Sequence, residues 1–216
     1  LRGLVLKLIS WVKRDPLNLH YLDSQAFLGH KPRLSDSRIV DLVDWKWPEK
    51  LEAFAKDRRV FFGLQLFPEA SIDYWLANPE LIDYEDLLVE AATVFARAGF
   101  LVLVKDHPSQ FGFRQCGLLD RLLVLPNVVL LPYEVSGNEA ISLVGSNFTL
   151  TGTLGLQAAL LGLTSIASPT YYTTPDDFLI FNSSAALSAL PEQVSQRPSA
   201  ASLEHRQERI LTHLLQ

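Results

Sequence analysis

The chain has little cysteine and no methionine: Cys116 is the single cysteine among its 216 residues. One cysteine excludes an internal disulfide, which favours a reducing compartment. Without a paired histidine motif, this thiol is expected to behave as a small apolar side chain. Because the chain starts with Leu1 and contains no methionine, we expect it to be a segment of a longer protein.

Positive charge and long apolar runs are also scarce. The 19 lysines and arginines are outnumbered by 24 acidic residues, which gives a net charge of −5 at pH 7. Nucleic acid is therefore not expected as a partner, since proteins that bind it normally carry a basic surface. No apolar run approaches the length of about eighteen residues that would predict a membrane span. Residues 1–14 have the period of an amphipathic helix, for which packing on a domain and peripheral membrane association are the alternatives.

Several binding motifs are missing from the sequence. It has no H-x-x-x-H pair and no cysteine–histidine cluster at ligand spacing, so no metal site is predicted. A full G-x-G-x-x-G with a downstream acid is absent, which argues against a dinucleotide site. A G-x-x-x-x-G-K-[ST] phosphate loop is absent as well. No bound cofactor is therefore expected.

What the sequence does contain, from residue 59 onward, is a regular alternation of strand-like and helix-like segments. The predicted strands cover 59–66, 100–104, 128–131, 146–150 and 164–167, and the predicted helices cover 83–98, 115–123, 138–144, 154–162, 184–190 and 201–215. Apolar strands that alternate with helices predict an α/β fold with a Rossmann-like, doubly wound, mainly parallel sheet. We expect this domain to cover residues 58–216, after an N-terminal helical or irregular extension or linker over 1–57.

The first candidate site residues follow the strand over 100–104, in the segment Lys105-Asp106-His107-Pro108. Ligands of open α/β sheets bind at the carboxyl ends of the strands. There Lys105 can meet a phosphate or carboxylate as a point charge, and His107 can donate a hydrogen bond. Pro108 favours an extended backbone at His107. The alternative is a solvated loop with a surface lysine.

A second candidate segment, Thr151-Gly152-Thr153, follows the strand over 146–150. The glycine lets a ligand approach the main chain, and Thr153 can cap the helix that follows, where amide groups point at an anion. Together with Lys105 and His107, this segment suits an anionic ligand, most simply a nucleotide phosphate. Hydroxyl caps and glycine turns are also common without any ligand.

The third candidate segment lies at the end of the first predicted strand. Glu69 could be a catalytic carboxylate, and the alternative is that it caps the next turn or pairs with a cation. Gln65 and Ser71 flank it as candidate ligand contacts. Farther along the chain, Tyr133 and Ser136 could flank a base, with a purely structural role as the alternative for each.

These segments together resemble the capsule polysaccharide biosynthesis family of bacterial glycosyltransferases, and within it the β-Kdo transferases. The resemblance covers about residues 59–175 and rests on four segments: 62–71, 104–108, 126–128 and 151–162. The His-Pro and Thr-Gly-Thr elements also recur in other transferases of the GT-B type. The Pro-Glu-Ala-Ser stretch at 68–71 is the part that indicates the capsule family.

The resemblance implies a nucleotide-sugar donor, commonly CMP-Kdo, a glycan or glycolipid acceptor, and no catalytic metal. It also implies an active site between this domain and a second Rossmann-like domain or partner subunit. Lys105 and His107 would meet the donor phosphate or carboxylate, and the segment Thr151-Gly152-Thr153 would hold the nucleotide. Glu69 and His107 would be catalytic, with Glu69 as a carboxylate nucleophile or cation stabiliser.

One position departs from the family pattern. Family members usually have a glutamate that binds the donor ribose where this chain has Gln157, which forms hydrogen bonds but carries no charge. We expect a cytoplasmic glycosyltransferase of surface polysaccharide synthesis, with the inner face of the cytoplasmic membrane as a further location. The alternatives are a CDP-glycerol-dependent glycerophosphotransferase and a non-catalytic nucleotide- or glycan-binding domain.

Overall fold

In the computed structural model, residues 38–65, 76–111, 114, 116–197 and 202–216 are described. Six strands within these ranges form one sheet: β1 (Arg59–Gly63), β2 (Leu101–Lys105), β3 (Val128–Leu130), β4 (Ser146–Phe148), β5 (Thr164–Ala167) and β6 (Phe178–Ile180). Their order is β3-β2-β1-β4-β5-β6, and every neighbouring pair is parallel. The predicted α/β, Rossmann-like, doubly wound sheet is confirmed.

The strand order reverses between β1 and β4. From β1 the chain moves outward to β2 and β3, then returns to β4 and continues on the other side to β5 and β6. The pairing of β1 with β2 extends to Gly63↔Lys105, and its pairing with β4 extends to Phe62↔Phe148, so the three strands end at the same edge. At such a reversal the loops after two adjacent strands diverge, and ligands bind in the crevice between them.

Helices cover both faces of the sheet. Among the described residues the α-helices are α1 (Ile39–Leu42), α2 (Trp47–Glu52), α3 (Tyr84–Arg97), α4 (Cys116–Leu123), α5 (Gly137–Ser142), α6 (Leu154–Leu160), α7 (Leu190–Gln196) and α8 (Leu203–Leu214). Side chains of α3, α4 and α7 share a core with Val60 and Phe62, while those of α2 and α5 share another with Phe61 and Leu103. Successive strand residues point to opposite faces, so two covered faces require strands that are apolar throughout.

Aromatic rings join β1 to β4 beneath the edge where they end. Phe62 stacks on Phe148 with ring centroids 4.7 Å apart, and Phe148 stacks on Phe181 at 5.1 Å. Phe95 of α3 meets Phe62 edge to face at 6.1 Å. All four rings are buried, and each such pair contributes about 0.5–1.5 kcal/mol beyond its buried area. The two strands on either side of the reversal are therefore held at a fixed spacing.

The strand β6 lies outside the predicted strands. Its three residues follow Asp176 and Asp177, and a run this short shows no period that would separate it from a loop. Pairing with β5 from Ser165↔Phe178 to Ala167↔Ile180 makes it a strand. The difference therefore arises from a tertiary contact and not from local preference.

Part of the N-terminal segment expected as an extension is described, over residues 38–57. Ile39 is buried in the core on the α3 face, and the partly buried Trp47, Leu51 and Phe54 pack on the α5 face. The amphipathic helix expected over 1–14 lies outside the described residues. None of the helices in the described ranges combines the length and the apolar character needed to cross a bilayer.

Candidate functional site

The carboxyl ends of β1, β2 and β4 surround a cavity of about 520 Å³, which the loop after β3 and the start of α6 complete. Eight of the predicted site residues line it: Gln65, Lys105, His107, Pro108, Tyr133, Ser136, Gly152 and Thr153. Thr151 is buried beside it, and Gln157 is exposed on α6 outside its lining. Glu69 and Ser71 lie outside the described residues.

Lys105, the last residue of β2, brings a cation to this cavity. The residue is 6% exposed, and its ammonium lies 3.4 and 3.5 Å from the backbone oxygens of Tyr133 and Pro132. No carboxylate in the described ranges forms an ion pair with it. Burial lowers the pKa of the ammonium, an effect that Asp106 and Glu134 oppose. A buried cation held by long contacts to neutral oxygens favours an anionic ligand.

The neighbouring Asp106 anchors a buried network that no sequence motif revealed. Its carboxylate accepts hydrogen bonds from the guanidinium of Arg114 and, at 2.6 Å, from the hydroxyl of Tyr133. The side chains of Asp106 and Arg114 are 1% and 3% exposed. Burial lowers the pKa of Arg114, but Asp106, Tyr84 and Glu85 together outweigh this effect and raise the pKa overall, so Arg114 stays charged. The guanidinium also donates to the carbonyl of Gln65 at 2.6 Å, which ties the end of β2 to the end of β1.

Gln65, just after β1, connects this network to the loop after β4. Its side-chain amide donates to the hydroxyl of Thr151 at 3.1 Å, and its backbone amide donates to the hydroxyl of Tyr84 at 2.6 Å. Gln65 and Thr151 are 5% and 2% exposed. Thr151 therefore contributes a buried cross-link between the two strand ends, and it does not line the cavity.

The Gly152–Thr153 pair forms the rim of the cavity at the start of α6. The amide of Gly152 donates to the hydroxyl of Thr149 at 3.1 Å, and its carbonyl accepts from the hydroxyl of Tyr172 at 2.8 Å. A Cβ at Gly152 would lie 2.8 Å from that Thr149 hydroxyl, so loop packing requires the glycine.

The expected cap of α6 by the hydroxyl of Thr153 is wrong. Thr153 occupies the N-cap position with φ −62° and ψ −16° and makes no side-chain capping bond. An N-cap side chain reaches the first turn from an extended backbone, whereas this residue is already helical. Its exposed side chain lines the cavity instead.

His107 contributes an uncharged imidazole. Burial lowers its pKa, Asp106 opposes that effect, and Arg114 and Lys105 add to it. At neutral pH one ring nitrogen can therefore donate and the other accept a hydrogen bond. Pro108 opens a 3₁₀ turn over Pro108–Gln110, and the carbonyl of His107 accepts from the amide of Gln110 at 2.8 Å. This turn fixes the backbone of the histidine at the rim.

The loop after β3 supplies an aromatic ring and a helix cap. Burial raises the pKa of the Tyr133 phenol, which stays protonated and donates to Asp106. The partly exposed ring of Phe111 packs edge to face on Tyr133 with centroids 5.4 Å apart. Ser136 caps α5 by accepting from the amide of Glu139 at 3.1 Å, so it has a structural role as well as a place in the cavity lining.

The environment of Gln157 and the grouping of possible metal ligands bear on the expected chemistry. The exposed Gln157 side chain makes no hydrogen bond with other residues in the described part of the chain. Within the same part, no three histidine, cysteine or acidic side chains come together in a way that could hold a metal ion. The arrangement as described offers one cation, one neutral imidazole and several hydrogen-bond donors around a crevice, which suits an anion that carries an uncharged, partly planar group.

Comparison with known proteins gives similarity in structure only. No protein-family model matches this chain, and no curated protein matches its sequence. KpsC of Thermosulfurimonas dismutans, described as a β-Kdo 2,4 transferase, aligns with 18% identity and a TM-score of 0.48, covering 87% of this chain and 61% of that one. Os79 from O. sativa, solved with UDP and deoxynivalenol-3-glucoside, aligns with 11% identity and a TM-score of 0.42, covering 78% and 39%. This chain therefore spans less than two thirds of the length of either protein.

Proposed function

We propose that the cavity at the ends of β1, β2 and β4 binds the phosphate of a nucleotide-sugar donor, and that the chain contains the donor-binding domain of a glycosyltransferase. The observation that carries this proposal is Lys105, a buried cation at the strand reversal. Its described hydrogen-bond partners are two backbone carbonyls at 3.4 and 3.5 Å, and its ammonium lies 5.3 Å from the centroid of the Tyr133 ring. A phosphate oxygen would give it a charge-assisted hydrogen bond, which is stronger than contacts to neutral oxygens.

The remaining walls of the cavity suit the rest of a nucleotide. In the described ranges, the backbone amides of Thr153 and Leu154 donate to no protein acceptor, and amides of this kind can bind phosphate oxygens. The ring of Tyr133 and the hydroxyl of Ser136 border the cavity where a base would lie. The cavity volume of about 520 Å³ falls within the range of small-molecule sites, about 300–1,000 Å³.

The finer features of the proposal rest on the resemblance of segments 62–71, 104–108, 126–128 and 151–162 to the capsule family. The donor would be CMP-linked, with Kdo as the sugar, and the acceptor would be a glycan or glycolipid of capsule or surface polysaccharide synthesis. A second Rossmann-like domain or partner subunit would close the cleft above residues 58–216. The same proposal places the protein in the cytoplasm, with the inner face of the membrane as its working surface.

Three residues would share the chemistry. Lys105 would stabilise the charge of the departing nucleotide phosphate, and the neutral imidazole of His107 would move a proton to or from a reacting hydroxyl. Glu69 would act as a carboxylate nucleophile or stabilise a cationic sugar intermediate. Gln157 would contact the ribose by hydrogen bonding alone, since it has no charge.

The binding test is calorimetric titration of the 216-residue chain with CMP, CDP and UDP. We expect CMP to bind, and Lys105→Gln to weaken binding by about 10- to 100-fold, because a hydrogen bond to a charged group contributes about 1.5–3 kcal/mol. Lys46→Gln is the matched control, since Lys46 is exposed and does not line the cavity. Absence of nucleotide binding, or unchanged affinity in Lys105→Gln, would refute the proposal.

A turnover assay separates the catalytic proposal from its alternatives. Glu69→Gln should lose transfer from a CMP-linked sugar without losing affinity for CMP. Turnover of CDP-glycerol in place of a CMP-linked sugar would favour the glycerophosphotransferase, and CMP binding with no turnover of either donor would favour a non-catalytic binding domain. Unchanged turnover in Glu69→Gln would make this residue structural.

A further inference from the structure

A second cavity, of about 1050 Å³, lies at the opposite edge of the sheet. Its lining comes from residues just before β1, β4, β5 and β6, together with the end of α7 and the start of α8. It therefore surrounds the amino ends of the strands, whereas the proposed nucleotide site surrounds their carboxyl ends. It shares no lining residue with the proposed nucleotide site, and four of its lining residues are arginines: Arg58, Arg197, Arg206 and Arg209.

Asp177 forms a close ion pair with one of these arginines. Its carboxylate is buried and is bonded to the guanidinium of Arg209 and to the hydroxyl of Thr174. Arg206 reaches the backbone carbonyl of Asp177, and its Nε lies 3.9 Å from the carboxylate, beyond hydrogen-bond distance. The Asp177 carboxylate therefore forms a hydrogen-bonded ion pair with Arg209 but interacts with Arg206 only at long range.

The other two arginines bond to neutral oxygens. Arg58 donates to the hydroxyl of Ser195 at 3.0 Å, and Arg197 donates to the carbonyl of Asp176 at 2.8 Å. Neither guanidinium forms an ion pair with a carboxylate in the described part of the chain. The lining also includes the exposed carboxylates of Asp57 and Asp176, which form no ion pair with these arginines in the described part of the chain, so four guanidinium groups face three carboxylates.

Two guanidinium nitrogens in this cluster also lack an acceptor. Nη1 of Arg197 and Nε of Arg206 are buried, and neither forms a hydrogen bond within the described residues. Buried donors are almost always hydrogen-bonded, so such an exception calls for an acceptor that the described residues do not supply. Burial, together with the charges of Arg197 and Arg209, lowers the pKa of Arg206, in keeping with crowded positive charge.

We infer that the cavity at the amino ends of the strands is a binding site for a phosphate-bearing ligand, separate from the proposed nucleotide site. Guanidinium groups present several donors in one plane, which matches the oxygens of a phosphate, and several arginines together can bind a multiply charged group. The cavity is larger than the nucleotide cavity, so it has room for a phosphate ester and not only for an inorganic ion. The same chemistry could come from a soluble phosphate ester or from the headgroup of an anionic lipid.

The test uses inorganic pyrophosphate as the probe, in the Lys105→Gln background so that the nucleotide site does not contribute. We expect calorimetry to detect binding, and Arg197→Gln and Arg58→Gln each to weaken it on the order of tenfold, the effect of losing one charge-assisted bond. Both positions can be changed without removing the buried contact of Arg206 to Asp177. Arg121→Gln is the matched control, because Arg121 is an exposed arginine that pairs with Asp86 outside the cavity.

A second arm identifies the source of the phosphate. The same variants are sedimented with vesicles of phosphatidylglycerol and phosphatidylcholine in equal amounts. Pyrophosphate binding that Arg197→Gln weakens supports a soluble ligand, and vesicle binding that Arg197→Gln weakens supports a lipid headgroup. The inference is overturned if neither probe binds, or if Arg197→Gln and Arg58→Gln bind both probes as tightly as Arg121→Gln does. Since the background already lacks Lys105, these outcomes are independent of whether CMP binds at the other edge.

Discussion

Replacing Asp106 with asparagine tests whether the buried network supports the site. The substitution keeps the shape of the side chain and removes its charge, so Arg114 loses the carboxylate that it contacts. The Arg114 side chain is 3% exposed, and a guanidinium keeps its proton in proteins even without a carboxylate beside it, so Arg114 stays charged after the substitution. The variant therefore leaves a buried cation without a charged partner.

The size of the effect follows from how deeply the pair is buried. Removing one partner of a buried ion pair costs about 3–5 kcal/mol, because the remaining charge is still kept from water. Asp120→Asn provides the comparison, since Asp120 pairs with Arg38 at 2.8 Å while their side chains are 49% and 54% exposed. Pairs at the surface contribute about 0–1 kcal/mol, so this control should change stability little.

Urea unfolding followed by far-UV circular dichroism measures both variants, with the free energy of unfolding obtained by linear extrapolation. Asp106→Asn should lower it by about 3–5 kcal/mol. Adding Arg114→Met should recover part of that loss, because the unpaired charge is then removed. A loss below about 1 kcal/mol for Asp106→Asn, or a double variant less stable than the single one, would refute the reasoning.

Two further predictions concern a titrating group and two glycines. Burial lowers the pKa of His107 in the folded protein, so the unfolded protein binds a proton at this site more readily. The free energy of unfolding should therefore fall as the pH drops below the ordinary histidine pKa of about 6.5. Urea unfolding at pH values from about 7.5 to about 5, on either side of the ordinary histidine pKa, should show a flatter stability profile for His107→Asn than for the unsubstituted protein, and equal profiles would contradict this assignment. Gly145→Ala should cost about 1–3 kcal/mol because its Cβ would lie 2.7 Å from Cα of Asp57. In α4, Gly117→Ala should stabilise the protein by up to about 1 kcal/mol, because a Cβ there meets open space. The thermal midpoint should therefore fall in Gly145→Ala and rise in Gly117→Ala, and shifts in the same direction would contradict the packing argument.

The sequence located eight of the seventeen residues that line the cavity, because strand ends are local features. Lys105 and His107 follow an apolar run directly, and Gly152 and Thr153 follow another, so both segments could be placed at the carboxyl edge once the strands were parallel. The roles proposed for these residues stay predictions. The cap by Thr153 could not be judged in this way, because it depends on whether the residue itself is already helical.

Other parts of the site depend on contacts between distant segments. Arg114 belongs to no motif, yet it joins Asp106 to the carbonyl of Gln65 across 49 residues of sequence. Gln65 in turn bonds to Thr151 over a separation of 86 residues. A sequence pattern records which side chain stands at each position, but it does not record which distant side chains will share a buried volume.

The parallel α/β architecture and the strand ends near Lys105 and Thr153 could be predicted from the sequence, because hydrophobic period is a local property and the order of the segments is read directly from the chain. Tertiary structure alone decided the strand β6 and the buried pairing of Asp106 with Arg114. It also decided the arginine-lined cavity at the amino ends, whose residues come from segments far apart in the chain. The physical reason is that burial sets the energy of a charge, and burial exists only after the segments have packed.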